Sequence, residues 1–226
     1  MEMNIPFVPS VNFRKGRTQP HNRGGKATPC TLIVVHYTAG GDFDATVDFL
    51  AKKNPASASA HFVAARSPDD GQKRPGGVVQ LVDLDDVAFH AGESAWDGQR
   101  GVNAFSVGIE ICNWGPLNQD GNIFTTWAGA VYPAHLAEPV FLGGRCWEPF
   151  TDFQYETAAR ICAAIMETFP DITPDRIVGH CDVASGRKLD PGPAWDWERF
   201  RELLSSTGAA QGRAEAAVDR KEVGHE

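Results

Sequence analysis

The chain has 226 residues, 42% of them hydrophobic and 22% charged, the balance of an ordinary folded protein long enough for one sizeable core. Its formal net charge of −8 at pH 7, with no dense Lys/Arg run beyond residues 14 to 26, argues against a nucleic-acid partner, which needs a clustered basic face. No window approaches the roughly 20 apolar residues of a membrane span, and "MEMNIPFVPSVNFRKGR" lacks a charged start followed by a long apolar core, so the expectation is a chain with no membrane anchor, cytoplasmic on synthesis. The five cysteines include no CxxC pair and are odd in number, which reads as reduced thiols rather than a disulfide framework.

No internal repeat is present, and the punctuation predicts an irregular lead-in over 1–29, one mixed α+β domain over 30–207 and a flexible tail over 208–226. "TLIVVHYTAGG" has the continuous apolar run of a buried strand and places His36 at its C-terminal end. "FDATVDFLAKKN" repeats Phe43, Val47 and Leu50 at helical spacing, and "SAHFVAARS" with "GGVVQLVDL" reads as a hairpin across a polar loop. "FSVGIEIC" alternates, with Val107, Ile109 and Ile111 on one face and Gly108, Glu110 and Cys112 on the other.

From Gly115 to Phe150 no regular element is evident over about 35 residues, which suggests a lid or an insertion with local structure. Its Trp127, Tyr132, Phe141 and Trp147 either line a binding cleft or pin the loop down. "FTDFQYETAARICAAIMETF" is the clearest helix, with Thr151 and Gln154 as a capping box and Phe150 and Tyr155 as a staple. A short strand around 176–178 and a last helix in "WDWERFRELLSS" complete the domain.

The seven histidines divide by position. His21, His225 and His135 fall in the presumed loose ends and the long loop, where a solvated role is expected. His36 and His180 both stand at strand ends, where one end of a sheet gathers ligands from distant sequence, and two imidazoles suit zinc. For the third ligand Cys181, Asp182, Asp190 and Cys112 are candidates; Asp190 is preferred because "CDVASGRKL" is long enough to loop back and "DPGP" would hold it. Three protein ligands leave an open position, the mark of a hydrolytic centre. Glu110 is the natural general base and Lys188 a cation for the developing oxyanion.

These residues carry a family resemblance. "IVVHYTAG", "SAHFVAARS…GGVVQLV", "AFHAGESAWDG", "NAFSVGIEI" and "IVGHCDVASGRKLDPGPAWDW" together resemble the zinc-dependent N-acetylmuramoyl-L-alanine amidases of the type-2 amidase and peptidoglycan-recognition superfamily, from about Thr31 to Phe200. The resemblance is to the branch containing muropeptide-recycling amidases and several phage lysins. It implies an α+β single domain with a central mixed β-sheet flanked by helices and a Zn2+ site at the strand ends. Its ligands carry over to His36, His180 and Asp190, its catalytic Glu to Glu110 and its Lys to Lys188. His61 and His90 match recurrent positions near the cleft, and Trp96 and Asn103 fall in the substrate-side stretch. One departure stands out: some phage members carry a Tyr before "HF", where this chain has Ala60.

The activity implied is hydrolysis of the amide joining the lactyl group of N-acetylmuramic acid to L-Ala of a stem peptide, by a monomer whose partner is peptidoglycan or a muropeptide. The long loop and extra ends tilt the expectation toward a phage-type endolysin, released to the wall by a holin. The alternatives are a cytosolic anhydro-muropeptide recycling amidase and a peptidoglycan-binding module that does not cleave. A thiol-based role is disfavoured because only Cys181 has an activating neighbour.

Overall fold

A computed structural model describes residues 5–16 and 29–207. In chain order its elements are β1 (Phe13–Arg14), β2 (Leu32–Tyr37), α1 (Phe43–Ala51), β3 (Phe62–Ala64), β4 (Val78–Gln80), β5 (Val87–Ala88), β6 (Ala95–Trp96), β7 (Gln99–Arg100), β8 (Ser106–Ile111), β9 (Pro116–Asp120), β10 (Ile123–Thr125), β11 (Val140–Leu142), β12 (Arg145–Trp147), α2 (Asp152–Thr168), β13 (Ile177–Gly179) and α3 (His180–Val183). Residues 197–207 form a further helix.

The central sheet has the order β13-β2-β8-β3-β4. β13, β2, β8 and β3 run parallel, and β4 closes antiparallel on β3 as the expected hairpin. Parallel strands are buried on both faces, and here the two faces differ. One carries Ile33, Val35, Val107, Ile109 and Ile111 against Tyr155, Ala158, Ile161 and Ile165 of α2 and Phe200 and Leu204 of the last helix. Helix α2 starts where the sequence predicts, with Thr151 and Gln154 closing a capping box and Phe150 and Tyr155 rings 6.3 Å apart. On the other face α1, capped by the Asp42 side chain, packs Phe43, Val47 and Leu50 against Val63, Val79 and Cys112.

One expectation changes, and of the two readings of the long segment one is met. Residues 5–16 are not an irregular lead-in: β1 pairs with β5, and Val8 and Ser10 donate backbone hydrogen bonds to Gln80 and Leu81 at 2.9 and 2.8 Å, covering the open edge of β4. The segment Gly115 to Phe150 is an insertion with its own antiparallel sheet, order β10-β9-β12-β11. It is tied down by the buried Arg66–Glu148 ion pair, by Arg66 Nη1 donating to Gly41 O at 2.6 Å and by Trp114 N donating to Glu148 Oε2 at 2.5 Å. The expected tail over 208–226, with His225, and His21 lie outside the described residues.

Candidate active site

Strand register brings the site together. Side by side in the β2–β8 pairing are His36 and Glu110, and Gly179 of β13 pairs with Val35, so the next residue, His180, comes level with His36. Because side chains alternate along a strand and Ile33, Val35 and Val107 face α2, His36, Ser106, Gly108 and Glu110 project from the opposite face. His180 does not continue the strand. It opens α3, a single helical turn. Gly179 N donates to Asp182 Oδ2 at 2.7 Å, and Cys181 N donates to Asp190 O at 2.9 Å, returning the loop to the strand end. A Cβ on Gly179 would stand 2.7 Å from Pro191 Cδ, so the glycine and the proline after Asp190 pack as one unit.

His36, His180 and Asp190 form a buried group that could hold a metal ion. His36 Nδ1 lies 2.9 Å from His180 Nδ1 and 3.0 Å from Asp190 Oδ2, and His180 Nδ1 lies 2.9 Å from the same oxygen. The tautomers follow from acceptor-only carbonyls. Ala91 O faces His180 Nε2 at 3.1 Å, so the proton is on Nε2 and the Nδ1 lone pair points inward. Ser106 Oγ donates to Val102 O at 2.7 Å and therefore accepts from His90 Nε2 at 3.1 Å. His90 Nδ1 is then the acceptor for His36 Nε2–H at 3.0 Å, which leaves His36 Nδ1 as a second inward lone pair. Two imine nitrogens and a carboxylate oxygen aimed at one point repel unless a cation lies between them. Tetrahedral zinc with bonds of about 2.0 Å needs ligand atoms about 3.3 Å apart, within a few tenths of an ångström of this triangle. Burial holds His36 below the usual histidine range, against the pull of the neighbouring Asp190 carboxylate. Burial alone would raise Asp190, but the close approach of His180 and His36 outweighs it and holds the carboxyl well below the usual carboxylate range. Both directions keep His36 Nδ1 and Asp190 Oδ2 free of protons at neutral pH.

Among the other ligand candidates, Cys112 is buried against α1 with its thiol pushed up to about 12 by burial. Asp182 caps the α3 turn, and burial first, then Asp182, pushes the Cys181 thiol up to about 11. Neither cysteine is primed as a nucleophile.

Glu110 Oε2 is buried and has no hydrogen-bond partner among the described residues. Burial, reinforced by the Asp190 charge and opposed by Lys188, pushes its pKa up to about 8. Lys188 is itself exposed. Glu110 forms part of the floor of a cleft of ≈ 650 Å³ whose walls include Phe49 and Asp42 of the α1 region, Arg66, Trp114 and Leu136. The insertion thus contributes a wall, though not through its predicted aromatics: Tyr132 and Trp147 are buried, Trp127 pins its indole to Ala39 O at 2.7 Å, and Phe141 is exposed. His135, set aside in the sequence, lies at this cleft.

The four residues expected on the substrate side are placed differently. His61 is 0% exposed, with Nδ1 accepting from Gly108 N at 3.0 Å and Nε2 against Asp86 O at 3.3 Å; its ring is sealed from any ligand. His90 touches His36 as described. Asn103 Oδ1 accepts from the backbone N–H groups of His90 and Ala91 at 3.1 and 2.8 Å. Trp96 packs against the Ala91, Val178 and Val183 cluster. Sequence reasoning missed Ser106, Arg66 and the Ala91 carbonyl. Alternation along "FSVGIEIC" was a usable signal for Ser106, which shares a face with Glu110.

Comparison with known proteins agrees with this geometry. Residues 26–193 match the family model described as N-acetylmuramoyl-L-alanine amidase. The 1,6-anhydro-N-acetylmuramyl-L-alanine amidase AmpD of Escherichia coli K12 is 33% identical over 77% of this chain and 82% of its own length; the AmpD of Haemophilus influenzae is 36% identical over 75% and 80%. Escherichia coli AmiD, solved as a complex with the substrate anhydro-N-acetylmuramic acid-L-Ala-D-gamma-Glu-L-Lys, superposes with a TM-score of 0.58 at 28% identity over 85% of this chain and 65% of that one. PlyL shares the fold, at a TM-score of 0.52 and 15% identity over 92% of this chain and 97% of its own. The preference for an endolysin is not supported by these matches, because the relatives at 33% and 36% identity over most of their length are AmpD proteins, whereas PlyL at 15% identity shows the fold alone, and the recycling alternative fits better. With a mixed sheet, a His-His-Asp group and a matched family model over most of its length, the chain belongs to the N-acetylmuramoyl-L-alanine amidases of the type-2 superfamily and is an amidase.

Proposed function

We propose that the chain hydrolyses the amide between the lactyl group of N-acetylmuramic acid and L-Ala in soluble anhydro-muropeptides, with zinc held by His36 Nδ1, His180 Nδ1 and Asp190 Oδ2. The observation that carries the reading is the convergence of these three atoms beside Glu110 Oε2. The anhydro-muropeptide preference rests on the AmpD relatives, whose name specifies that substrate. Among the described residues no helix is long and apolar enough to cross a membrane.

A zinc ion there would supply a Lewis acid and lower the pKa of water to about 7. The chain's own groups manage the protons. Glu110 takes the proton of the attacking water on Oε2 and delivers it to the departing alanine nitrogen; burial raises its pKa to about 8 without the metal, and a dication beside it would favour the ionised form that the first transfer needs. Lys188, whose charge reaches Glu110 and His36, offsets the negative charge that develops on the carbonyl oxygen. Glu110 also lines the cleft with Phe49, Trp114 and Leu136, whose apolar side chains would restrict water on its side of the scissile amide.

The test is parallel digestion of soluble anhydro-muropeptide and of purified sacculi by zinc-loaded protein, read by mass spectrometry, with His180→Ala as control. Stem peptides with a new L-Ala amine, released faster from the soluble substrate, are expected. Faster release from sacculi would favour lysis, and binding without cleavage of either substrate would replace the enzyme with a recognition module.

A further inference from the structure

We infer that the dipeptide His90–Ala91 orients both metal-facing imidazoles, and that Asn103 and Ser106 hold this dipeptide as positioning residues for the metal centre rather than as contacts to substrate. The inference rests on reading His36, His180 and Asp190 as a metal site. His36 and His180 are 144 positions apart, yet their outer nitrogens end on adjacent residues, His36 Nε2 on His90 Nδ1 at 3.0 Å and His180 Nε2 on Ala91 O at 3.1 Å. Each contact sets a tautomer and a ring plane, so a shift of this one dipeptide misaims two ligands together.

The dipeptide follows β5 and lies in no strand or helix, so its geometry depends on side chains. Asn103 Oδ1 accepts from both of its N–H groups at 3.1 and 2.8 Å, Ser106 Oγ accepts from His90 Nε2 at 3.1 Å, and Arg187 Nη2 donates to Ala91 O at 2.7 Å. The His90 ring lies directly on β8, where a Cβ on Gly108 would come 2.4 Å from its Cγ. Asn103 itself belongs to the 3-10 turn Val102–Phe105 that leads into β8. The strand that carries Glu110 therefore also anchors the element that aims His36 and His180.

The experiment measures zinc affinity by competition with a chromophoric chelator, and the visible spectrum of the cobalt-substituted protein, for the parent and for Asn103→Ala, Asn103→Asp and Ser106→Ala. A carboxylate at 103 still accepts from two N–H groups, so rescue separates orientation from general damage. Asn103→Ala is expected to bind zinc ~10–100-fold more weakly with an altered cobalt spectrum, Asn103→Asp to stay within ~3-fold, and Ser106→Ala to lose ~10-fold. Parental affinity and spectrum in both Asn103→Ala and Ser106→Ala would overturn the inference. If Asn103→Ala fails to fold, Ser106→Ala decides by the same criterion. Metal affinity is read without substrate, so a protein that cleaves no muropeptide yet shows these losses would end the amidase reading and leave the inference standing. Full cleavage with unchanged affinities would do the reverse.

Discussion

Replacing Glu110 by Gln in the metal-free protein should stabilise the fold, increasingly so as pH rises. Glu110 Oε2 is buried without a partner among the described residues, and its pKa is pushed from 4.5 up to about 8 by burial and by Asp190. A carboxyl with a folded pKa above its unfolded one binds more protons folded than unfolded between the two values. Stability is therefore intact below the unfolded pKa of 4.5 and falls until pH passes about 8. Each unit in that window corresponds to about 1.4 kcal/mol, which sets a ceiling of roughly 3 kcal/mol at pH 7. The residue floors an open cleft where solvent screens part of this, so about 2 kcal/mol is expected. Urea denaturation in EDTA of parent and Glu110→Gln, from pH 5 to 8, isolates the effect, because the other titrating groups are common to both proteins. A stability difference independent of pH, or a less stable Gln variant at pH 8, would refute the argument. Zinc should shrink the gap, since a nearby dication favours the ionised carboxylate.

Three further outcomes are expected. Zinc at a thousandfold excess over its dissociation constant should raise unfolding free energy by roughly 4 kcal/mol; EDTA should reverse the gain, and Asp190→Ala should abolish it in a thermal-shift assay. Glu148→Ala should destabilise the chain by about 3–5 kcal/mol in urea, because it strands the buried Arg66 guanidinium, whereas Arg66→Met with Glu148→Leu should lose much less. Lys188→Met should lower kcat ~100-fold with little change in KM, the split expected if the charge acts on the transition state; an unchanged kcat with a raised KM would make it a binding group.

The strand ends were legible because they are written locally. An apolar run that stops at His36, a strand that alternates through Glu110, and a Gly-Pro-rich return to Asp190 each point in one direction whatever the rest of the chain does. The insertion's strands were not: β9 to β12 are short, their exposed faces carry residues such as Asn118, Gln119 and Phe141, and the segment is anchored by Glu148 reaching Arg66, 82 positions away. Residues 5–16 were misread for a similar reason, since their hydrogen bonds go to the edge of β4 and leave no periodicity in their own sequence.

The orientation of the imidazoles was hidden for a deeper reason. Composition and spacing report side chains, but His180 is aimed by the carbonyl of Ala91, a group every residue has. Asn103 looks like a polar residue on the substrate side, because nothing in its identity says that its oxygen will be used up by two backbone N–H groups. Direct ligands are constrained by element chemistry and appear as His and Asp. The groups that aim them need only an acceptor or a donor in the right place, which backbone supplies as well as side chain does. A residue near a catalytic centre is thus assigned to substrate or to scaffold by asking which of its atoms are already committed, and for His61, His90 and Asn103 the ring nitrogens and the amide oxygen are committed within the protein.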